Sequence, residues 1–157
     1  MLKPGTAAPP FSLDDADGKS VSLKSLLRDG PLILYFYPSD FTPGCTKEAC
    51  SLRDLHADIQ RAGLRVVGIS PQSSESHQRF RERYELPFTL LSDPDKTVIK
   101  LYDVDGPLGF GVRRGTYLIG ADGTIQAGVL ADLRIAEHEA FVRQAIAAGQ
   151  AAGATRP

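Results

Sequence analysis

A run of six apolar residues at positions 32–37, ended by Pro38, constrains the fold more than any other feature of the sequence. No polar residue interrupts the run, so it predicts a β-strand that is buried on both faces. A strand of this kind belongs to the centre of a sheet that helices cover. With 157 residues, the chain is long enough to build one such domain around its own core.

Strand and helix patterns alternate along the rest of the chain. Short strand patterns at 11–13 and 20–23 flank a turn rich in Asp and Gly, which predicts an N-terminal β-hairpin. Further strands are predicted at 64–70, 88–91, 116–119 and 124–130, and helices at 45–62, 74–84, 97–102 and 137–148. The order predicts an α/β fold with a mixed central β-sheet flanked by helices, in a single domain over residues 1–157. Residues 149–157, rich in Ala and Gly, are expected to form a flexible tail.

The balanced charge of the chain argues against several classes of function. Lys and Arg number 18 and Asp and Glu number 19, which gives a net charge of −1. This lacks the basic surface of a nucleic-acid-binding protein or of a protein held on an anionic membrane. The longest apolar run is also far shorter than the roughly 20 residues that cross a bilayer. No apolar signal segment is found near the N-terminus, so we expect a cytoplasmic protein.

The chain has two cysteines, Cys45 and Cys50, which excludes a disulfide-rich secreted scaffold. A bond between them would close a loop of about six residues and would give little entropic stabilisation. With His56 they make three ligands at irregular spacing, fewer than the four of a structural zinc site, so no metal is expected. No nicotinamide, haem or P-loop motif is found, so no bound cofactor is expected.

The segment between the buried strand and Cys50 carries the clearest chemical signal. Pro43 suits the first position of a helix, which makes Thr42 the N-cap. Cys45 then lies in the first helical turn, where free backbone N–H groups and the helix dipole favour thiolate over thiol. The alternative is a buried, unreactive Cys45 that acts as a small apolar residue. Its place at the carboxyl end of a central strand, where α/β sheets bind ligands, favours the reactive cysteine.

The spacing of the two cysteines has a structural consequence. Cys50 follows Cys45 by five residues, which in an intact helix is about 7.5 Å of rise and about 140° of rotation. A disulfide needs Cα atoms within about 6.8 Å and Cβ atoms that point toward each other. The two cysteines therefore cannot pair while the helix is intact, and any redox cycle between them requires local unfolding. Alternatively, Cys50 is only a packing residue.

The pattern Pro38-x-x-x-Thr42-x-x-Cys45 resembles the active-site motif of the peroxiredoxins. The longer segment from Asp40 to Cys50 resembles the subfamily called bacterioferritin comigratory protein or peroxiredoxin Q. This resemblance covers most of the chain, from near residue 5 into the last predicted helix. It implies a thioredoxin-like fold and a thiol peroxidase, with Cys45 as the peroxidatic cysteine and Cys50 as the resolving cysteine.

The resemblance also assigns residues around the peroxidatic cysteine. Arg114 matches the family's active-site arginine, although local sequence alone does not choose between it and Arg113, which would face the other side of a strand. Thr42 would accept a hydrogen bond from the peroxide and hold it in line. Pro38 would shape and shield the pocket, unless it only ends the strand. Glu48 would orient the arginine by a charge-assisted bond, unless it is an ordinary exposed helical residue.

The activity implied by the resemblance is reduction of hydrogen peroxide and organic hydroperoxides. The peroxide would oxidise Cys45 to a sulfenic acid, which Cys50 would convert into an intramolecular disulfide. Thioredoxin or a similar dithiol reductant would then restore both thiols. We expect a monomer, with a dimer as the alternative.

Two other functions remain open from the sequence. A disulfide oxidoreductase of the same fold typically carries Cys-x-x-Cys, so the Cys-x4-Cys spacing disfavours it. A non-enzymatic redox sensor or holdase, with the unwinding helix as its switch, is compatible with the same cysteines. The histidines support neither function, since His56, His77 and His138 lie in polar helical stretches and are expected at the surface.

Overall fold

The computed structural model describes residues 1–154 of the chain, and the side chains of residues 1–151. One sheet of seven strands forms its centre, in the order β2-β1-β5-β4-β3-β6-β7. The strands are β1 (Ser12–Asp15), β2 (Ser20–Ser22), β3 (Leu32–Phe36), β4 (Arg65–Ser70), β5 (Thr89–Ser92), β6 (Gly115–Ile119) and β7 (Ile125–Leu130). The pairs β3–β4 and β4–β5 are parallel, whereas β1–β2, β1–β5, β3–β6 and β6–β7 are antiparallel. The predicted mixed sheet and N-terminal hairpin are therefore confirmed.

Helices cover both faces of the sheet. They are α1 (Leu23–Leu26), α2 (Pro43–Arg61), α3 (Ser74–Tyr84), α4 (Thr97–Leu101) and α5 (Ile135–Ala154), with a 3₁₀ turn at Pro107–Gly109. None of the helices in the described part of the chain is long and apolar enough to cross a bilayer.

The central strand β3 is buried on both faces, as its apolar run predicts. Side chains alternate along a strand, so Leu32, Leu34 and Phe36 face one layer of the core, with residues of α1 and α4. Ile33 and Tyr35 face the other layer, with residues of α2, α3 and α5. Helices α2 and α3 connect consecutive parallel strands, and right-handed crossovers place both on the same face.

Most of the predicted elements lie within one or two residues of their positions in the structure, and α3 has the predicted bounds. The last helix differs, because it begins at Ile135 and continues through residues 149–154, where a flexible tail was expected. Alanine is the best helix former, and it makes up three of the six residues at 149–154, which favours the extension. Residues 155–157 of the predicted tail lie outside the described residues. The short helix α1 had no sequence prediction.

The topology brings three chain segments together at one edge of the sheet. The parallel strands β3 and β4 end there, at Phe36 and Ser70, and the helices α2 and α3 begin shortly after them. The antiparallel strand β6 starts at the same edge, because Gly115 pairs with Phe36. The loop after β3 therefore lies beside the residues that precede β6.

Candidate active site

Thr42 caps α2, which confirms its predicted position. Its Oγ1 accepts a hydrogen bond from the backbone N–H of Cys45 at 3.4 Å. The same hydroxyl donates its proton to the backbone carbonyl of Ser39 at 3.2 Å. Since a hydroxyl oxygen has two lone pairs, Thr42 keeps one acceptor position for a further donor.

Cys45 lies in the first turn of α2 and is only 2% exposed. Its Sγ accepts a hydrogen bond from Nη2 of Arg114 at 3.3 Å. The guanidinium and the positive end of the helix dipole both place positive charge beside this sulfur. Gly44 allows this approach, because a Cβ on it would lie 3.2 Å from Nη2 of Arg114. The arrangement places the sulfur of Cys45 beside a fixed cation.

Arg114 reaches Cys45 because of the sheet register rather than because of any local sequence pattern. It directly precedes β6, whose first residue pairs with the last residue of β3. Its backbone N–H donates to Oδ1 of Asp132 at 3.0 Å, and its Nε donates to the backbone carbonyl of Asp132 at 3.4 Å. The neighbouring Arg113 is 43% exposed and pairs with Oδ2 of Asp132 at 3.0 Å. Of the two arginines, Arg114 is the one hydrogen-bonded to Cys45.

Glu48 is buried, one turn along α2 from Cys45. Its Oε1 accepts from Nη1 of Arg114 at 2.8 Å, so the guanidinium fork joins the carboxylate to the sulfur. Burial raises the pKa of Glu48, and the neighbouring charges of His138 and Arg114 lower it in part. The sequence left open that Glu48 is an ordinary exposed helical residue, and the structure shows that it is buried.

His138 is also buried, so its predicted surface position is wrong. Its Nε2 is hydrogen-bonded to the carbonyl of Ala131 and its Nδ1 to Oγ1 of Thr116, each at 2.8 Å. Nδ1 also lies 3.6 Å from Oε2 of Glu48, an oxygen with no hydrogen-bond partner among the described residues. Helical spacing carried a signal for this burial, since His138 shares its face of α5 with the core residue Val142.

His77 is fully buried as well, contrary to the expectation from its polar helix. Its Nδ1 lies 2.7 Å from Oδ2 of Asp40, and its Nε2 lies 3.0 Å from the carbonyl of Leu91. Asp40 belongs to the loop between β3 and α2, and it is 5% exposed. The spacing of His77 and the core residue Phe80 on α3 could have indicated this buried face. His56, by contrast, is half-buried.

Pro38 is half-buried and lines a cleft of about 530 Å³ beside Arg114. The other walls include Phe110 and Val112 from the segment that precedes β6. A second cavity, of about 510 Å³, lies near the amino ends of β3 and β4 and contains His56 but none of the predicted site residues. The cleft at Pro38 is therefore the one that borders the candidate site.

Cys50 lies farther along α2, half-buried, in a groove shared with residues of α5 such as Glu139 and Arg143. Both cysteines are free, and α2 is continuous across them. This agrees with the geometric argument that an intact helix keeps the two sulfurs apart. Within the described residues no cluster of His, Cys, Asp and Glu could hold a metal ion.

Comparisons with known proteins agree on one family. The model of the AhpC/TSA family matches residues 4–127. The chloroplastic peroxiredoxin Q of Sedum lineare is 48% identical over 124 residues, which are 78% of this chain and 66% of that protein. The match therefore spans just under two thirds of the length of this relative.

Solved structures show the same fold. Peroxidoxin BcpB from Mycobacterium tuberculosis superposes with a TM-score of 0.87 and 34% identity, covering 100% of both chains. The bacterioferritin comigratory protein of Xanthomonas campestris, described for its alkyl peroxide reduction activity, superposes with a TM-score of 0.81 and 27% identity. That match covers 88% of this chain and 92% of the other. The predicted thioredoxin-like fold is confirmed.

Proposed function

The chain belongs to the AhpC/TSA family, in its group of peroxiredoxin Q and bacterioferritin comigratory proteins, and we propose that it is a thiol-dependent peroxidase. Its substrates are hydrogen peroxide and organic hydroperoxides, in line with the alkyl peroxide reduction described for the Xanthomonas relative. One observation carries the proposal: a buried cysteine, Cys45, at a helix N-terminus with Arg114 3.3 Å from its sulfur. We also propose that residues 1–157 form a single domain.

In the first step the Cys45 thiolate attacks the terminal oxygen of the hydroperoxide. An S–O bond forms, the O–O bond breaks, and the alkoxide or hydroxide that leaves takes up a proton. The sulfur loses two electrons and becomes a sulfenic acid. Negative charge moves from the sulfur to the leaving oxygen, so a cation fixed between these atoms stabilises the transition state more than the reactants.

Four neighbours support this step in the proposal. Arg114 stays protonated and offers several donors in a fixed fork, which suits a charge spread over sulfur and oxygen. The free acceptor position of Thr42 takes the hydrogen bond of the peroxide and aligns its O–O bond with the sulfur. Glu48 holds the guanidinium in place by accepting a hydrogen bond from its other terminal nitrogen, Nη1. Pro38 shields the sulfur from the cleft.

The second step forms a disulfide between Cys45 and Cys50. The Cys50 thiolate attacks the sulfenic sulfur, an S–S bond forms, the S–O bond breaks, and the oxygen leaves as water after protonation. Because Cys50 lies five positions after Cys45 in the intact α2, the first turns of the helix must unwind before this step. Thioredoxin or a similar dithiol then reduces the disulfide by exchange. The monomeric state, the cytoplasmic location and the lack of nucleic-acid or membrane partners stay predictions.

The cysteine variants test the proposal. Cys45→Ser should abolish peroxide consumption, whereas Cys50→Ser should keep the first turnover and lose recycling by a dithiol, because its sulfenic acid has no partner cysteine in the same chain. Mass spectrometry after mild peroxide treatment, with dimedone to trap the sulfenic acid, identifies the oxidised residue. Turnover that survives in Cys45→Ser would refute the nucleophile, and normal cycling of Cys50→Ser with thioredoxin would refute the resolving cysteine.

A further inference from the structure

The loop between β3 and α2 is anchored to the rest of the protein by a buried carboxylate. Asp40 accepts a hydrogen bond from the Tyr37 hydroxyl at 2.7 Å through Oδ1 and from the Ser76 hydroxyl at 2.8 Å through Oδ2. Nδ1 of His77 lies 2.7 Å from the same Oδ2, and both side chains of this pair are 0% exposed. The loop that precedes Cys45 is thus joined to α3.

Hydrogen-bond partners occupy both ring nitrogens of His77. Nε2 of His77 faces the carbonyl oxygen of Leu91, which only accepts, so Nε2 carries a hydrogen. Nδ1 faces Oδ2 of Asp40, and the Tyr37 hydroxyl lies 3.4 Å from the same nitrogen. A buried pair that is fully hydrogen-bonded resists separation, because each partner alone is a poorly solvated polar group.

The next residue in the loop, Phe41, opposes this anchor. Its φ is +66°, in the left-handed region where a bulky residue is strained. Its side chain is 46% exposed, although its ring packs edge-on against Phe80 of α3 at 5.2 Å between centroids. Unwinding of the loop would relieve the backbone strain at Phe41 but would pull Asp40 away from His77.

We propose that Asp40 and His77 are positioning residues that hold the loop and the first turn of α2 wound, against the strain at Phe41. This inference rests on the proposed function, because it concerns the unwinding that brings Cys45 to Cys50. The wound form places Cys45 beside Arg114 for reaction with the peroxide. The unwound form allows the disulfide to form. The strength of the Asp40–His77 interaction therefore sets the ratio of the wound form, which reacts with peroxide, to the unwound form, which forms the disulfide.

The pair also controls a competing reaction. While the loop stays wound, the Cys45 sulfenic acid can meet a second hydroperoxide molecule. An S–O bond then forms, an O–O bond breaks, an alcohol or water leaves, and the sulfur becomes a sulfinic acid that a dithiol does not reduce. A weaker anchor shortens the time available for this oxidation. It should therefore protect Cys45 from inactivation while it slows the first step.

Asp40→Asn is the direct test, because it keeps the size of the side chain and removes the charge. Asp93→Asn is its matched control: Asp93 is another buried aspartate in a loop after a strand, and its Oδ2 accepts from the backbone N–H of Ile99 at 2.8 Å, in α4. His77→Gln is the second test variant, in case Asp40→Asn does not fold. The chain has no tryptophan, so rapid quenching and mass spectrometry should follow the sulfenic, disulfide and sulfinic forms of Cys45.

Removal of a charged hydrogen bond shifts an equilibrium by about tenfold or more. Because unwinding precedes the disulfide, its formation after the first oxidation should accelerate by about tenfold in Asp40→Asn and His77→Gln. Sulfenic acid formation should slow, and the yield of sulfinic acid at high peroxide should fall. Asp93→Asn should lower thermal stability while leaving the ratio of the two rates at its wild-type value.

The outcomes separate this inference from the proposed function. Disulfide formation at the wild-type rate in both test variants overturns the inference, as does an equal acceleration in Asp93→Asn. If wild-type protein forms neither the sulfenic acid nor the Cys45–Cys50 disulfide, the proposed function fails and the inference falls with it. Opposite changes in the two rates, confined to the Asp40 and His77 variants, support the assignment, since general destabilisation would not produce them.

Discussion

Arg114→Lys tests whether the guanidinium fork, rather than positive charge alone, activates the candidate site. Arg114 donates to Sγ of Cys45 at 3.3 Å through Nη2 and to Oε1 of Glu48 at 2.8 Å through Nη1. A lysine keeps the charge but concentrates its donors on one nitrogen. That nitrogen cannot occupy both positions of the fork, so either the sulfur or the carboxylate loses its partner.

The expected loss follows from what the fork does in the transition state. Removal of one preorganised donor from a site of this kind costs about 100-fold to 1,000-fold in rate, or about 2.7–4 kcal/mol. Because lysine retains the charge, we expect the lower end, about a 100-fold slower reaction of Cys45 with hydrogen peroxide. Arg113→Lys provides the matched control, since Arg113 is 43% exposed and pairs with Asp132. Exposed ion pairs contribute about 0.2–1 kcal/mol, so its effect on the rate should be small.

The measurement is the second-order rate constant for sulfenic acid formation, obtained by rapid quenching at several peroxide concentrations. Thermal unfolding of each variant shows that the comparison is between folded proteins. A rate for Arg114→Lys within about twofold of the wild type would contradict the role of the fork, since even an exposed ion pair can change an equilibrium that much. An equal loss in Arg113→Lys would show that overall charge at this edge of the sheet, and not the contact with the sulfur, determines the rate.

Three further predictions concern the residues around the site. Burial raises the pKa of Glu48 above 4.5, so the folded protein keeps a proton that the unfolded chain releases, and stability should fall as pH rises from 4.5 through the raised pKa. Glu48→Gln should remove this fall in denaturant titrations across pH, and an equally steep fall in the variant would contradict the assignment. Thr42→Val removes the acceptor for the N–H of Cys45. It should lower the free energy of unfolding by about 1 kcal/mol, or Tm by about 2–4 °C, whereas Thr42→Ser should retain most of this stability. Tyr35→Phe deletes a buried hydroxyl that has no partner among the described residues, so it should raise the unfolding free energy by about 1–3 kcal/mol. Tyr37→Phe, which deletes a hydroxyl that donates to a buried carboxylate, should lower it, and the same sign for both would refute the hydrogen-bond argument.

Local patterns were sufficient for the reactive end of α2. Pro43 and Thr42 define the start of the helix through backbone geometry and one side-chain hydrogen bond, both of which operate within four residues. The position of Cys45 in the first turn follows directly. The spacing to Cys50 similarly settles that an intact helix separates the two sulfurs. Each of these conclusions depends only on residues close together in the chain, so the known geometry of a helix is enough to reach it.

The histidines show where the same reasoning failed. His77 and His138 lie in helices that are mostly polar, and a count of polar neighbours predicted exposure for both. Burial depends on which face of the helix meets the sheet, and each histidine lies on that face. Their partners are a loop aspartate, Asp40, and a helical glutamate, Glu48, which come from other parts of the chain. A buried histidine requires such partners, and a sequence does not show them until the packing is known.

The position of Cys45, its helix cap and its distance from Cys50 are therefore properties of a short segment of sequence, because backbone geometry acts over a few residues. The cation beside that cysteine is not. Arg114 is 69 residues from Cys45 along the chain, and the antiparallel register of β3 and β6 brings them together. The buried groups that hold the loop and the arginine in place are likewise assembled from distant segments. Only the packed sheet and helices bring those charges close enough, and far enough from water, to act on one sulfur atom.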